Sequence, residues 1–193
     1  MTIKDYAYYY SLRNESRQRI AASINKKAIQ SKRLTEWKLV TLSSIDKAAI
    51  DYARLEWTKF YSKETHMGFE YSWEKLIHRF SARPSFFDLA IWQQIGELRV
   101  LQGMALGRPS NAKKHLTINW IERSFQPTYL KPGILAVVLG CAEEYAKLVG
   151  CRKVLIKSPV DPLSYERYGY AQYKHPQVRG TYVCKELAHE HSI

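Results

Sequence analysis

Gly133 stands at the mouth of an apolar helix in "YLKPGIL" (129–135), and one predicted strand later Tyr165 stands in "SPVDPLSYERYGYA" (158–171). A helix start presents unpaired N–H groups and a partial positive charge, so a glycine there lets a phosphate reach bare backbone. If the strands preceding these two segments are parallel neighbours, they must part for a ligand to lie between them. Tyr165, on the short helix after the second strand, then overlooks the gap. Two blander readings stand beside this one: an ordinary strand-to-helix turn that uses Gly133 for its backbone freedom, and a tyrosine packed on the last helix with its hydroxyl bonded to backbone.

The elements that must position these groups follow from hydrophobic periodicity. "EWKLVTLS" (36–43) alternates as a strand. "SSIDKAAIDYARLEWTKFY" (43–61) opens with serine and an acidic residue before a stripe of Ile45, Ala49, Tyr52, Leu55 and Trp57, which predicts a capped helix. A second helix is predicted over 72–80, and three strands over 86–94, 98–106 and 115–125 form a meander. The apolar helix follows, buried through Ile134, Leu135, Val138, Leu139, Ala142, Tyr145, Ala146 and Val149 and stopped by Gly150. A strand over 152–160, the short helix carrying Tyr165 and a final pair of strands, "YAQYKH" and "RGTYVCKEL", complete the order β-α-α-β-β-β-α-β-α-β-β.

That order, with "QPTYLKPGIL" and "SYERYGY", resembles the GNAT superfamily of N-acetyltransferases over residues 36–187. The family carries a stretch like P-x-y-R-g-x-G-i-G followed later by Y-x-x-x-G-F. The resemblance implies an α/β (α+β) fold: a mixed, mostly antiparallel sheet with a splayed parallel strand pair and flanking helices. It also implies acetyl-CoA as co-substrate, its pyrophosphate held at Phe125, Gln126, Pro127, Leu130, Lys131, Gly133, Ile134 and Leu135, with Ser158 at a position where asparagine is common. The middle glycine of the pyrophosphate motif is present as Gly133. Its first position is Leu130 instead of Gln or Arg, its last is Leu135 instead of Gly or Ala, and Pro132 removes one backbone donor.

Tyr165 matches the tyrosine that, in many members, protonates the departing coenzyme A thiolate, and a phenol is a competent donor for that step. The attacking amine must be neutral, and Glu122 in "NWIERS" is the nearest candidate base. Strict alternation puts Glu122 on one face with Ile118 and Trp120, whereas a bulge near 121–125 would re-aim it. A surface ion pair with Arg123 is the alternative for Glu122, and Glu56, Glu64, Glu70 and His175 are secondary candidates. Direct attack of a primary amine on the thioester needs no enzyme nucleophile.

Composition bounds the remaining possibilities. The 193 residues suit one domain, divided here into a basic, helical N-terminal arm (1–35) and a GNAT-like domain (36–193). Half of the +12 net charge sits on that arm through Lys4, Arg13, Arg17, Arg19, Lys26, Lys27, Lys32 and Arg33 against Asp5 and Glu15. Tyr6, Tyr10, Ile20, Ile24 and Ala28 lie at near-helical spacing for docking it. The arm reads as a solvated face or as a contact for nucleic acid or an acidic partner. A basic surface argues against a polyamine acceptor and permits an acidic or tRNA-linked one. A catalytically degenerate module that binds such a partner through the arm is the competing reading. There is no membrane-span or leader pattern, and three cysteines without metal spacing suit the reducing cytoplasm. The histidines show no metal-ligand spacing beyond the terminal pair His189 and His191, so no metal is expected.

Overall fold

The computed structural model describes residues 2–30, 39–62, 68–126, 128, 130, 133–176 and 179–188. It opens with a 28-residue helix, α1 (Ile3–Gln30). β1 (Val40–Ser43), α2 (Lys47–Glu56) with a 3-10 turn over Trp57–Phe60, and α3 (Trp73–Ser81) follow. The meander β2 (Phe87–Ile95), β3 (Leu98–Pro109) and β4 (His115–Arg123) leads into α4 (Ile134–Leu148). Then come β5 (Lys153–Lys157), a 3-10 segment over Pro162–Tyr168, β6 (Ala171–Tyr173) and β7 (Tyr182–Glu186). The order matches expectation, with boundary differences. Residues 36–38 of the first strand lie outside the described residues. The strand after α4 ends at Lys157 because Ser158 adopts a positive φ of 49° and Val160 points fully into solvent.

One seven-stranded sheet runs β1-β2-β3-β4-β5-β7-β6, and β4–β5 is its parallel pair. This is the mixed, mostly antiparallel sheet with flanking helices that the motifs imply. α1 and α4 pack on one face of it, and α2 and α3 on the other, each over its own core. Local chemistry sets the helix ends. Asp46, and not a serine, caps α2 by accepting the Ala49 N–H at 2.9 Å, and Ser72 caps α3. Gly150, at φ +83°, closes α4 while the N–H of Cys151 returns to the Ala146 carbonyl at 2.8 Å. Leu55, expected in the buried stripe of α2, is exposed.

The packed face of α1 differs from expectation. Tyr6 and Tyr10 are exposed, while Tyr9, Arg13, Ser16, Arg17, Ile20, Ile24 and Ala28 face inward at helical spacing. Two of the arm's cations are therefore internal. Arg17 Nη2 donates at 2.7 Å to both the carboxylate and the carbonyl of Asp88, and Arg13 Nε lies 3.2 Å from the same carboxylate. Arg13 also donates to the carbonyls of Pro84 and Phe86. Asp88 Oδ2 accepts the Ile45 N–H, so one buried carboxylate ties α1 to β2 and to the start of α2. Arg19 pairs with Glu15 and Glu144. Lys32 and Arg33 lie outside the described residues.

Candidate functional site

β4 and β5 pair over only four residues, from His115↔Lys153 to Ile118↔Ile156. Beyond Ile118, β4 stays with β3 as far as Arg123, while Lys157 pairs with Tyr182 of β7. The two strands therefore fork. The cause is a bulge in β4: Ile118 opposes Gly107 and Trp120 opposes Leu106, so Asn119 is the extra residue. Gly107 permits it, because a Cβ there would meet the Thr117 carbonyl oxygen at 2.4 Å. The bulge reverses the alternation of the strand. Leu116 and Ile118 belong to the core under α4, whereas Trp120 packs on the opposite core. Glu122 thus shares a face with Trp120 but not with Ile118, and the bulge falls slightly earlier than the 121–125 window.

Glu122 is buried, so it is no surface partner of Arg123. Tyr61 donates its hydroxyl to Oε1, and the Trp73 indole donates to Oε2 at 2.6 Å. Burial, then the bond to Glu122, pushes the Tyr61 phenol well above its ordinary pKa, so it acts as a donor. Tyr61, Phe69, Tyr71, Trp73 and Glu122 line a cavity of about 280 Å³. Phe69 bridges Trp73 and Trp120, with centroids 5.9 and 4.9 Å away. A carboxylate inside an aromatic box suits an amine. Glu56 is instead engaged with Lys59 at the surface, Glu70 is exposed, and Glu64 lies outside the described residues.

On the other face, the mouth of α4 is walled by α1. Ile20, Ser23, Ile24 and Lys27 face Gly133, Ala136, Val137 and Gly140 across a cavity of about 330 Å³. The N–H of Gly133 is taken by the Leu130 carbonyl at 2.9 Å, and that of Leu130 by Thr128 Oγ1 at 3.2 Å. The donors that helix geometry leaves without an intrahelical acceptor are those of Ile134, Leu135 and Ala136. Leu130 is fully buried, and Leu135 packs its side chain against the same core. The Gln126 N–H donates to Ser124 Oγ at 3.1 Å, and the Phe125 ring lies under Arg123. Pro127 and Lys131 lie outside the described residues.

Tyr165 packs in the α4-side core, edge-on to Tyr170. Among the described residues its hydroxyl makes no hydrogen bond. Burial, followed by the nearby Asp161 charge, raises its pKa, which keeps the phenol protonated. Ser158 is exposed at the end of β5, its N–H bonded to the Thr181 carbonyl. The cysteines are free, and burial pushes the thiols of Cys141 and Cys151 up to about 12 and that of Cys184 up to about 11. None is an activated nucleophile.

Several residues here escaped the sequence reading. Tyr61 and Trp73 hold Glu122, and Lys27 and Ser23 border the α4 mouth. A third cavity, of about 430 Å³, has Arg83, Arg108, His115, Asn119, Lys157 and His175 among its lining residues. His175, a secondary candidate base from the sequence, lies there edge-on to His115 with ring centroids 5.6 Å apart. The only advance signal was the excess of basic residues.

This arrangement of elements recurs in solved acetyltransferases. A GNAT-family acetyltransferase from Staphylococcus aureus Mu50 superposes with a TM-score of 0.56 over 77% of this chain and 99% of its own, at 9% identity. The ribosomal-protein-S18-alanine N-acetyltransferase of Escherichia coli does so with a TM-score of 0.51 over 79% and 97%, at 13% identity. No protein-family profile matches the sequence, and no curated protein aligns with it. The likeness is therefore one of architecture: the chain has the GNAT fold, as the motifs imply.

Proposed function

We propose that this chain is an acyl-CoA-dependent N-acyltransferase that moves an acetyl group from acetyl-CoA to a primary amine by direct attack. The observation that carries this reading is the fork after Ile118 and Ile156, with Glu122 on one face of the sheet and Tyr165 and the α4 mouth on the other. Acetyl-CoA supplies an activated acyl group as its thioester. The N–H groups of Ile134, Leu135 and Ala136 and the positive end of α4 bind its pyrophosphate, and Lys27 of α1 stands where the absent motif cation would help. Glu122 draws the amine into the aromatic box and takes its proton. Tyr165 gives a proton to the departing sulfur from the opposite face. Base and acid thus stand on the entry and exit sides of one gap, and alignment of two bound substrates supplies most of the acceleration.

The competing reading, a nucleic-acid module working through the N-terminal helix, has less support because Arg13 and Arg17 are engaged by Asp88. Calorimetric titration with acetyl-CoA tests the proposal: binding is expected, and no heat at millimolar ligand rejects it. Tyr165→Phe is expected to lower turnover by roughly a hundredfold at unchanged acetyl-CoA affinity. An unaltered rate removes Tyr165 from its role.

A further inference from the structure

The 430 Å³ cavity collects basic groups from five separate segments: Arg83 after α3, Arg108 of β3, His115 of β4, Lys157 of β5 and His175 between β6 and β7. Among the described residues that line it there is no Asp or Glu. Elsewhere Arg13, Arg17, Arg19 and Arg54 each meet a carboxylate, while Arg99, Arg123 and Arg167 lie singly over aromatic rings; only here do several cationic side chains share one concavity among the described pockets. Arg83 donates to the Asn111 amide oxygen at 2.7 Å, and Arg108 stacks over Phe80 at 5.4 Å. Neither arginine has an ion pair among the described residues. Burial, then the like charges of Arg83 and Arg79, lowers the pKa of Arg108. Like charges gathered in a concave, partly dry site raise the local potential and are relieved by an anion. The planar guanidinium fork of arginine matches two oxygens of a tetrahedral phosphate in a bidentate contact.

The position of the cavity says which molecule carries that phosphate. Thr117 and Asn119 line it from the β4 face that also bears Glu122, opposite the α4 mouth. It therefore lies on the amine side of the sheet. Asn119 and Glu122 are three residues apart, which at strand rise is roughly 10 Å. The volume suits a small-molecule group held in a pocket instead of a nucleic-acid strand tracked along a surface. Asn119 Oδ1, screened from solvent, has no hydrogen-bond partner among the described residues.

We propose that this basin binds the phosphate end of the acceptor, a phosphomonoester whose primary amine reaches Glu122 across that span. The assignment rests on the acyltransferase reading, and its test separates the two.

Inorganic phosphate and phenyl phosphate are titrated calorimetrically into the wild-type chain, into Arg108→Gln/Lys157→Gln and into the exposed single variant Lys157→Gln, with folding checked by circular dichroism. Binding is expected in the wild type and is expected to weaken roughly tenfold to a hundredfold in the double variant. All three proteins are expected to bind acetyl-CoA alike. ω-Aminoalkyl phosphates of increasing length, beginning with aminoethyl phosphate, are then compared as acceptors with the corresponding unphosphorylated amines. The phosphorylated series is expected to give the higher kcat/KM, with an optimum in chain length that the double variant abolishes.

Equal phosphate affinity in wild type and variants overturns the proposal, as does the absence of any preference for phosphorylated amines. Phosphate binding lost when coenzyme A saturates the protein would assign the basin to the co-substrate and overturn it too. Retention of tRNA that depends on Arg108 and Lys157, without phenyl phosphate binding, overturns the small-molecule ligand. If acetyl-CoA fails to bind any of the proteins, the acyltransferase reading and the acceptor assignment fall together, while the phosphate titrations still show whether the basin is an anion site.

Discussion

The indole N–H of Trp73, in the first turn of α3, donates to Glu122 Oε2 at 2.6 Å. With Tyr61 on the other oxygen, the carboxylate is fixed by donors from two segments that pack over its strand. Such a group is either a strut or an oriented base. Glu122→Gln keeps the volume and one acceptor oxygen but removes the charge. The variant is expected to lose roughly a hundredfold or more in kcat. Trp73→Phe should lower kcat less, because it removes only the orienting bond. An E122Q protein that turns over as fast as wild type would make Glu122 a strut.

Asp88 is the carboxylate shared by two arginines that are almost fully excluded from water, with side-chain exposures of 5% for Arg13 and 4% for Arg17. Removing one partner of a buried pair strands the other. Asp88→Ala is therefore expected to destabilise the chain by about 3–5 kcal/mol, read as a lower urea midpoint at unchanged slope. A loss below about 1 kcal/mol, typical of a surface pair, would mean that α1 is not clamped as described.

How far the sequence revealed these features depended on whether their cause was local. α3 and α4 were legible because Ser72 and Gly150 mark their ends and the apolar stripes between are unbroken. The docked face of α1 was not, since Arg13 and Arg17 interrupt its stripe and their partner Asp88 looks like an outward strand residue until the helix is laid on it. The bulge was harder still. "HLTINW" alternates without a break across the bulge, and Asn119 becomes an extra residue only beside Gly107, whose place opposite Ile118 is a tertiary fact. The resemblance named Tyr165 and Gly133 by position. It could not show that Leu130 lies in the core, that the Gly133 N–H is already taken, or that α1 walls the α4 mouth.

Gly107 links stability to the site. A methyl group there would press on the Thr117 carbonyl at 2.4 Å and the Ile118 Cα at 3.0 Å, both backbone atoms that cannot rotate away. Gly107→Ala is expected to cost roughly 1–3 kcal/mol by overpacking. Because the displaced backbone is the bulge that aims Glu122, acyl transfer should fall even where the variant is still fully folded. A folded G107A protein with wild-type kcat would separate the bulge from the placement of Glu122.

His115 gives a pH dependence with a definite sign. Burial is the main cause that lowers its pKa from the ordinary 6.5, helped by His175 and Lys153, and Arg83, Arg108 and Lys157 line the same cavity. As pH falls through 6.5 the unfolded chain takes up the proton before the folded one does, so the stability present above 6.5 is progressively lost, until the lowered folded value is passed. Urea midpoints measured at about pH 7.5 and about pH 5.5 should therefore drop more in the wild type than in His115→Gln. Phosphate in the basin would favour the charged imidazole and shrink the wild-type drop toward that of the variant. Identical drops in both proteins, with and without phosphate, would show that His115 does not titrate in this window.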